Sequence, residues 1–410
     1  MSDFFQNGVI STLHKLTEQP IEELENRILS FTNRRPVALI LPSLYSELEG
    51  VALPNIVNEL IKVPYLSEII VGLDGADEKQ FKLAKEFFAK LPQHHRVIWQ
   101  SGPKIQELYN LLDEKDLFRG GQGKGRNVWM CLGYLVASNK ARIFAVHDCD
   151  ILTYDRSLLA RLVFPITAPN LNYRFCKGYY SRVSDQLNGR VARLFVTPLI
   201  RSLKRILGDV DYLEYIDSFR YPLSGEMSLF RDVAVRLRLP TDWGLEIGML
   251  NEIYRNFAKN QMCQVDILDR YDHKHQELSE DNPNAGLSKM SIDIAKSFYR
   301  VLAGMGVIFS DQFFRTIKAT YLRTALDFIE KYVGDAALNG LNYDRHAEEQ
   351  AIEVFLRSII IAGDQFLANP MELPMIPSWN RIISALPDFT QQLYEAVEAC
   401  LLYTSPSPRD

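Results

Sequence analysis

Short apolar runs alternate with longer amphipathic segments between residues 36 and 150 of the chain. Four runs have the length and composition of β-strands, and they lie at 37–42, 68–73, 96–100 and 143–146. Three helices are predicted between them, because apolar residues recur there at helical spacing. The first covers 51–63, the second follows the second strand and continues through Phe87, and the third covers 128–137. Such alternation is typical of βαβ units, so we predict an α/β fold with a mostly parallel sheet flanked by helices.

The same pattern divides the rest of the chain. Residues 1–35 are polar with apolar positions at helical spacing, and we predict a helical lead-in. The α/β domain covers 36–280 and has two halves, 36–150 and 151–280, of which the second mixes helices, turns and strands. Residues 281–399 are helical throughout, and we interpret them as a helical extension that serves packing or dimerisation rather than chemistry.

Composition excludes several classes of partner. The 410 residues are 47% hydrophobic and 24% charged with a net charge of −5, which is typical of a globular protein. We therefore expect neither nucleic-acid nor membrane binding. Five scattered cysteines without metal-ligand spacing favour reduced thiols over disulfides.

The two ends of the chain need separate interpretation. The N-terminal residues lack a basic stretch followed by an apolar one, so we expect no secretory signal and a cytoplasmic location. Residues 400–410 read as a translated sequencing adapter, and we exclude them from the fold.

Asp148-Cys149-Asp150 directly follows the fourth predicted strand. Residues two apart on a strand project to the same side, so the two carboxylates can share one ion. Mg²⁺ and Mn²⁺ prefer carboxylate oxygens, usually together with the phosphates of a substrate. The triplet therefore indicates an enzyme that uses a phosphorylated donor, although a solvated strand end is the simpler alternative.

Other segments carry candidate ligands for anions or sugars. The glycine-rich stretch 120–126 contains Lys124 and precedes a predicted helix, which suits phosphate binding, although a flexible turn is an alternative. Asn188-Gly189-Arg190 opens another helix and is a candidate anion site, or a solvated basic helix start. Trp243 and Glu246 suit sugar hydroxyls, or form a core tryptophan with a capping acid. His273 is a candidate late metal ligand, or a surface histidine.

Seven motifs occur in order along residues 36–280: Leu41-Pro42-Ser43-Leu44-Tyr45-Ser46-Glu47, Gly123-Lys124-Gly125, Asp148-Cys149-Asp150, Asn188-Gly189-Arg190, Pro222-Leu223-Ser224-Gly225-Glu226, Gly244-Leu245-Glu246-Ile247-Gly248 and His273. This ordered set resembles the glucosyl-3-phosphoglycerate synthases, and more distantly the mannosylglycerate synthases. The resemblance implies a retaining glycosyltransferase with the GT-A (Rossmann-like) fold. Residues 36–150 would then be the nucleotide-sugar half and 151–280 the acceptor half.

The resemblance also implies substrates, a cofactor and residue roles. The donor is UDP-glucose, the acceptor is 3-phosphoglycerate, and the cofactor is Mg²⁺ or Mn²⁺. Apart from the resemblance, we expect a homodimer. The implied donor-binding residues are Pro42, Leu44, Glu47, Asp74, Lys124 and Asp148. The implied acceptor-binding residues are Asn188, Gly189 and Arg190, and the metal ligands are Asp150, His273 and Asp148. The residues implied at the reacting centre are Asp150, Lys124, Leu223, Ser224 and Glu246.

Departures from the family pattern leave alternatives open. Ala192 stands where the family carries a threonine, and Tyr45-Ser46 replaces Asn-Glu, so GDP-mannose or another nucleotide sugar with glycerate or another small acid remains an alternative. A second alternative is a protein that binds nucleotide sugars without catalysis. A phosphohydrolase of the haloacid-dehalogenase type is disfavoured because its aspartates follow the first strand. A sugar-phosphate nucleotidyltransferase is disfavoured because no early basic glycine-rich segment is present.

Overall fold

An eight-stranded mixed sheet forms the centre of the protein. The structure, a computed structural model, describes residues 4–6, 8–118, 121–272, 286–370 and 375–402, the side chains of 400–402 excepted. The strands are β1 (Ser11–Leu13), β2 (Val37–Leu44), β3 (Leu66–Asp74), β4 (His95–Trp99), β5 (Ile143–Val146), β6 (Phe175–Tyr180), β7 (Met227–Phe230), β8 (Leu239–Pro240), β9 (Met262–Leu268) and β10 (Met375–Ile376). The sheet order is β1-β9-β6-β7-β5-β2-β3-β4, and β8 pairs separately with β10.

The sheet is parallel except at one strand. β7 runs antiparallel to both of its neighbours, β5 and β6, and the remaining pairs are parallel. The predicted α/β fold with a mostly parallel sheet is confirmed. The reversal at β7 matters for the site, because the loop that precedes β7 then lies at the edge where the other strands end.

Helices cover both faces of the sheet. They are α1 (Ile21–Thr32), α2 (Ala52–Leu60), α3 (Glu78–Phe88), α4 (Pro103–Glu114), α5 (Lys124–Ser138), α6 (Arg156–Thr167), α7 (Thr197–Leu207), α8 (Asp211–Asp217), α9 (Arg231–Ala234), α10 (Leu245–Asn256), α11 (Gly286–Gly304), α12 (Asp311–Asn339), α13 (Arg345–Ala368), α14 (Trp379–Ala385) and α15 (Phe389–Leu402). A π-helical turn, Val191–Val196, leads into α7, and 3₁₀ turns occupy Tyr45–Glu49 and Lys259–Gln261.

Two hydrophobic cores follow from the alternation of side chains along the strands. In β2, Ala38 and Ile40 face a core shared with α5 and α7, whereas Leu39 and Leu41 face a core shared with α1, α2, α3 and α6. Both sides of β2 are therefore buried, which explains why its sequence is a continuous apolar run rather than an alternating one.

The first core continues into the helical extension. It includes buried residues of α11, α12, α13, α14 and α15 together with those of α5, α7 and α10. Among the described residues, the helical extension therefore shares one hydrophobic core with helices of the α/β domain. Whether it also dimerises the protein stays a prediction.

The predicted lead-in needs one correction. Apolar residues Ile10, Leu13 and Leu16 have helical spacing, but Ser11–Leu13 is a strand that pairs in parallel with β9 at the sheet edge. The helical pattern there was wrong, because three strand residues are too few to show their own period. The second part of the lead-in is helical, as predicted, in α1.

Two further features bear on the sequence-based expectations. The described cysteines Cys131, Cys149, Cys176 and Cys263 are buried free thiols. Within the described ranges, no helix combines the length and apolar character that crossing a membrane requires.

Candidate active site

The carboxylate pair lies at the edge of the sheet where the parallel strands end. Asp148 and Asp150 follow β5, which is flanked by β2 and β7 in the middle of the sheet. The side chain of Cys149 between them is buried, so the chain is fixed to the core at this point. Ligands of open α/β sheets bind at this edge.

The loop before β7 contacts the carboxylate pair directly. A Cβ atom built on Gly225 would lie 2.5 Å from Asp148 Oδ2, closer than a side chain can approach. Glycine is therefore required for this loop to reach Asp148. The contact places Leu223 and Gly225 beside the two aspartates, because β7 runs in the reverse direction.

Lys124 is the first residue of α5, and it joins two carboxylates. Its Nζ lies 2.6 Å from Asp148 Oδ1 and 3.0 Å from Glu246 Oε1. Gly125 allows this position, since a Cβ there would lie 2.0 Å from the carbonyl oxygen of Pro240. Burial lowers the pKa of Lys124, but the two carboxylates outweigh burial and hold the pKa well above its usual value. Lys124 is therefore a permanent cation at the site.

Negative charge is concentrated around Asp150. Burial and the charge of Asp148 raise the pKa of Asp150 to about 7, against the lowering effect of Lys124. Glu47 and Glu226 raise it further. Two carboxylates that oppose each other's ionisation are the environment that a divalent cation stabilises, so this donor set fits Mg²⁺ or Mn²⁺.

A single cavity of about 740 Å³ connects many of the predicted site residues. The predicted residues that line it are Lys124, Asp148, Asp150, Asn188, Gly189, Arg190, Leu223 and Glu246. They come from segments far apart in sequence, so the fold brings the predicted donor and acceptor groups to one place. The volume suits a small-molecule substrate pair.

Residues 188–190, which we call the acceptor segment, form one wall of the cavity. Nε of Arg190 donates to Glu348 Oε1 at 2.8 Å, and Nη1 of Arg193 donates to Glu348 Oε2 at 2.9 Å. Glu348 belongs to α13, and its side chain is 5% exposed. The predicted acceptor arginine is thus held by a buried acid of the helical extension, and the simple reading of a solvated helix start is excluded.

Trp243 and Glu246 lie at the start of α10 and both line the cavity. Trp243 is 43% exposed, so it is not a core tryptophan. Glu246 is buried against Lys124. An exposed indole beside a fixed carboxylate suits the apolar face and the hydroxyls of a sugar.

The remaining predicted donor residues lie at the same sheet edge, outside the cavity. Leu44 pairs with Asp74 at the ends of β2 and β3, and Leu44 is 52% exposed. Glu47 follows in the 3₁₀ turn and is near enough to raise the pKa of Asp150. Pro42, two residues before Leu44 in β2, pairs with Gly72 of β3. These residues border the open surface next to the carboxylate pair.

His273 lies outside the described residues. Its neighbour Asp272 accepts a hydrogen bond through its carbonyl oxygen from the amide of Leu152, two residues after Asp150, at 2.9 Å. The chain therefore passes the carboxylate loop immediately before His273. Among the described residues, no third histidine, thiol or carboxylate completes a metal cluster with Asp148 and Asp150.

A buried polar network supports the loop before β7, and its contacts with Lys177 and Tyr271 join residues too far apart in sequence for a local pattern to reveal. Nζ of Lys177 donates to the carbonyl oxygen of Ser224 at 2.6 Å. Ser224 Oγ and Tyr271 Oη donate to the two carboxylate oxygens of Glu226 at 2.8 and 2.7 Å. Ser224 is itself fully buried and does not line the cavity, so its side chain supports the loop from below.

Relatives match nearly the whole chain. A glucosyl-3-phosphoglycerate synthase from Persephonella marina is 48% identical over 398 residues, which are 97% of this chain and 98% of that protein. Another from Methanococcoides burtonii is 39% identical over 399 residues, which are 96% of this chain and 97% of that protein. A scan against protein-family models gives no match.

Solved structures of similar fold also exist. Glucosyl-3-phosphoglycerate synthase from Mycobacterium tuberculosis in complex with phosphoglyceric acid matches with a TM-score of 0.53 and 20% identity, over 74% of this chain and 90% of that one. Its complex with Mn²⁺, UDP-glucose and phosphoglyceric acid matches with a TM-score of 0.52 and 20% identity, over 73% and 89%. At this identity the likeness concerns the fold, and it confirms the predicted GT-A-like architecture.

Proposed function

The chain belongs to the glucosyl-3-phosphoglycerate synthase family of nucleotide-sugar glycosyltransferases, and we propose that it transfers glucose from UDP-glucose to 3-phosphoglycerate. One observation carries the proposal: a single cavity joins Lys124 and the aspartate pair to the acceptor segment. A donor diphosphate and an anionic acceptor can therefore occupy adjacent positions. The names of these relatives support this choice, as do the substrates in the solved complex of the Mycobacterium tuberculosis protein.

Asp148 and Asp150, with His273 as the proposed third ligand, would hold Mg²⁺ or Mn²⁺ at the donor diphosphate. The metal, when bound, supplies positive charge that stabilises the departing diphosphate. Lys124 adds a fixed cation at the same place, because its pKa lies well above neutral pH. Solved complexes of the Mycobacterium tuberculosis relative with Mn²⁺ or Mg²⁺ and UDP support the choice of metal.

The rest of the donor is placed by residues on both sides of the carboxylate pair. Pro42, Leu44, Glu47 and Asp74 border the exposed edge and would contact the uridine, and Asp148 would also contact the ribose. Glu246 would accept hydrogen bonds from glucose hydroxyls, and Lys124 keeps the Glu246 carboxylate in place at 3.0 Å. Leu223 and the backbone of Ser224 would lie beside the reacting carbon.

The reaction breaks the bond between the anomeric carbon of glucose and the diphosphate oxygen. The 2-hydroxyl oxygen of 3-phosphoglycerate forms the new bond on the same face, so that the configuration is retained. Its proton passes to the departing diphosphate. No side chain needs to act as a nucleophile, and the protein contributes position and charge.

The test is a grid of donors and acceptors with purified protein, Mg²⁺ and detection of the product by mass. UDP-glucose and GDP-mannose are each combined with 3-phosphoglycerate, glycerol 3-phosphate and glycerate. We expect the greatest release of UDP and a glucosyl-3-phosphoglycerate product from the first pair. A preference for GDP-mannose or for glycerate would contradict the proposed substrates.

The metal assignment is tested with Asp150→Asn, which keeps the shape of the side chain and removes its charge. We expect turnover to fall at least about a hundredfold, because the metal loses a ligand. Asp327→Asn is the matched control, since Asp327 pairs with Arg323 on the exposed side of α12. Full turnover by Asp150→Asn would exclude Asp150 as a ligand. The homodimer and the cytoplasmic location stay predictions.

A further inference from the structure

Two arginines line the cavity near the acceptor segment, and their charge environments differ. Arg190 is ion-paired with Glu348, which also binds Arg193. The charge of one carboxylate is therefore shared between two guanidinium groups, and Arg190 is partly neutralised before any ligand binds. An acceptor anion at Arg190 competes with a buried acid of the protein.

Arg182 has no carboxylate partner within the described ranges. Its Nη1 donates to the hydroxyl of Tyr221 at 3.2 Å. Its Nε is buried and has no hydrogen-bond partner among the described residues. A buried donor without a partner is costly, and the Arg182 guanidinium brings to the cavity wall a positive charge that no described carboxylate offsets.

A short hairpin places Arg182 beside the acceptor segment. The carbonyl oxygen of Arg182 accepts a hydrogen bond from the amide of Asn188 at 2.9 Å, and Val183 bridges to Leu187 in antiparallel fashion. A Cβ built on Gly189 would lie 3.5 Å from Cδ of Arg182. The Arg182 side chain thus lies beside the middle of the acceptor segment.

Tyr221 fixes the guanidinium of Arg182 on its other side. The ring of Tyr221 packs 5.0 Å from Tyr180, which in turn stacks on Tyr271 at 3.7 Å. Tyr221 belongs to the same loop as Leu223 and Gly225, which reach the carboxylate pair. Arg182 therefore lies between the acceptor segment and the proposed reacting centre.

Building on the proposed function, we propose that Arg182 binds an anionic group of the acceptor, its phosphate or its carboxylate, and thereby selects small phosphorylated acids. A guanidinium oriented by a tyrosine hydroxyl presents a planar fork that matches both groups. Arg182 supplies the charge that Glu348 removes from Arg190. The acceptor segment then adds the backbone and amide groups around the same anion.

The test compares Arg182→Gln and Arg182→Lys with the wild type in initial-rate measurements. We expect Arg182→Gln to raise the KM for 3-phosphoglycerate at least about tenfold, because the variant loses one charge-assisted hydrogen-bond pair with the acceptor. The KM for UDP-glucose should stay within about twofold of the wild type. Arg182→Lys should restore part of the affinity, because a lysine keeps the charge and loses the fork.

Three acceptors identify the group that Arg182 binds. If Arg182 binds the phosphate, Arg182→Gln should lose the wild type's discrimination against glycerate. If Arg182 binds the carboxylate, the variant should lose the discrimination against glycerol 3-phosphate. An equal loss of efficiency for 3-phosphoglycerate, glycerol 3-phosphate and glycerate would overturn the proposal.

Arg174→Gln is the matched control. Arg174 precedes β6 as Arg182 follows it, it is also partly buried, and its Nε likewise has no partner among the described residues. It does not line the cavity. A rise in acceptor KM in Arg174→Gln equal to that in Arg182→Gln would assign the effect to folding rather than binding and overturn the proposal.

Direct titration keeps this proposal separate from the proposed function. 3-Phosphoglycerate is titrated calorimetrically into the wild type and into Arg182→Gln, both loaded with Mn²⁺ and UDP. If the wild type binds 3-phosphoglycerate in this titration but shows no turnover with UDP-glucose in the activity grid, the proposed reaction alone is contradicted. Equal affinity in the two proteins would contradict the role of Arg182 alone.

Discussion

Two lysines near the carboxylate pair show that neighbouring charges determine whether the pKa of a buried lysine is raised or lowered. Lys124 lies between Asp148 and Glu246, and their attraction outweighs the effect of burial on its pKa. Lys177 is 1% exposed and hydrogen-bonds a carbonyl oxygen, and burial lowers its pKa to about 8. The first lysine is suited to stabilise developing negative charge. The second holds the loop at Ser224 and carries a cost in stability.

The depressed pKa of Lys177 predicts how stability changes with pH. Below about pH 8 the folded protein keeps the lysine charged, and above about pH 10.4 the unfolded chain loses the same proton. Between these values the unfolded state binds more protons, so this residue makes the folded state more stable as pH rises. The gain is about 3 kcal/mol across the interval by proton linkage.

Urea unfolding of the wild type and of Lys177→Met at pH 7.5 and pH 10 measures this gain. We expect the stability of the wild type relative to the variant to increase with pH, since methionine cannot titrate. Lys259→Met, which removes a lysine paired with Asp211 outside the buried network, is measured alongside as the control. A difference between wild type and Lys177→Met that is the same at both pH values would contradict the prediction.

At the scale of elements, the reversed strand β7 determines what can approach the aspartates. Its preceding loop meets Asp148 at Gly225, and Gly225→Ala would place a methyl group 2.5 Å from Asp148 Oδ2. Either the loop or the aspartate must move, and displacements of this size at the proposed reacting centre are costly. We expect kcat to fall at least about tenfold, measured as UDP release at saturating substrates.

Gly334→Ala provides the control for that substitution. A Cβ on Gly334, an exposed residue of α12 that does not line the cavity, meets no described atom within 4 Å. Its activity should stay within about twofold of the wild type. If Gly225→Ala retained full activity with an unchanged Tm, the loop would not need its close contact with Asp148.

The elements that sequence predicted well are those whose signal is local. β5 was predicted with its observed bounds, and the aspartates that follow it line the cavity at the end of the strand. β6 was missed because Lys177 and Gly178 interrupt its apolar pattern, although all six residues are buried. Only the surrounding network of Ser224 and Glu226 allows a lysine in that strand, and such a network is formed by tertiary contacts.

The same limit explains which site residues the sequence did not reveal. Glu348 pairs with Arg190 across 158 residues of sequence, so no local motif connects them. Arg182 lies close to the acceptor segment in sequence, but the position of its guanidinium depends on the hairpin and on the hydrogen bond to Tyr221. Motif spacing therefore predicted residues that line one cavity, whereas tertiary packing determines which other side chains surround them.

At the scale of the whole molecule, the helical extension is part of the structure that supports the site. Trp379 of α14 stacks on Trp129 of α5 with ring centroids 4.3 Å apart. Nε1 of Trp379 donates to the carbonyl oxygen of Trp129 at 3.0 Å, and Nε1 of Trp129 donates to that of Pro377 at 2.8 Å. The extension therefore fixes the position of α5, the helix that begins with Lys124, by ring stacking and two hydrogen bonds.

Trp379→Ala and Trp243→Ala separate the two uses of tryptophan in this molecule. Trp379 is fully buried, so Trp379→Ala should lower the free energy of unfolding by about 3–5 kcal/mol. Its kcat at 20 °C should stay within a few-fold of the wild type, because Trp379 does not line the cavity. Trp243 is 43% exposed in the cavity, so Trp243→Ala should reduce kcat/KM for the sugar donor with a stability change below about 1 kcal/mol.

Urea unfolding and initial rates on the same preparations measure both effects. The reasoning depends on one shared core: if the extension folded apart from the sheet, the loss of Trp379 would leave the main unfolding transition unchanged. A separate early transition in Trp379→Ala, with the main one intact, would contradict the shared core. A single transition shifted to lower urea would instead mean that α14, α5 and the aspartate edge unfold together, because the indole pair connects the extension to the helix that carries Lys124.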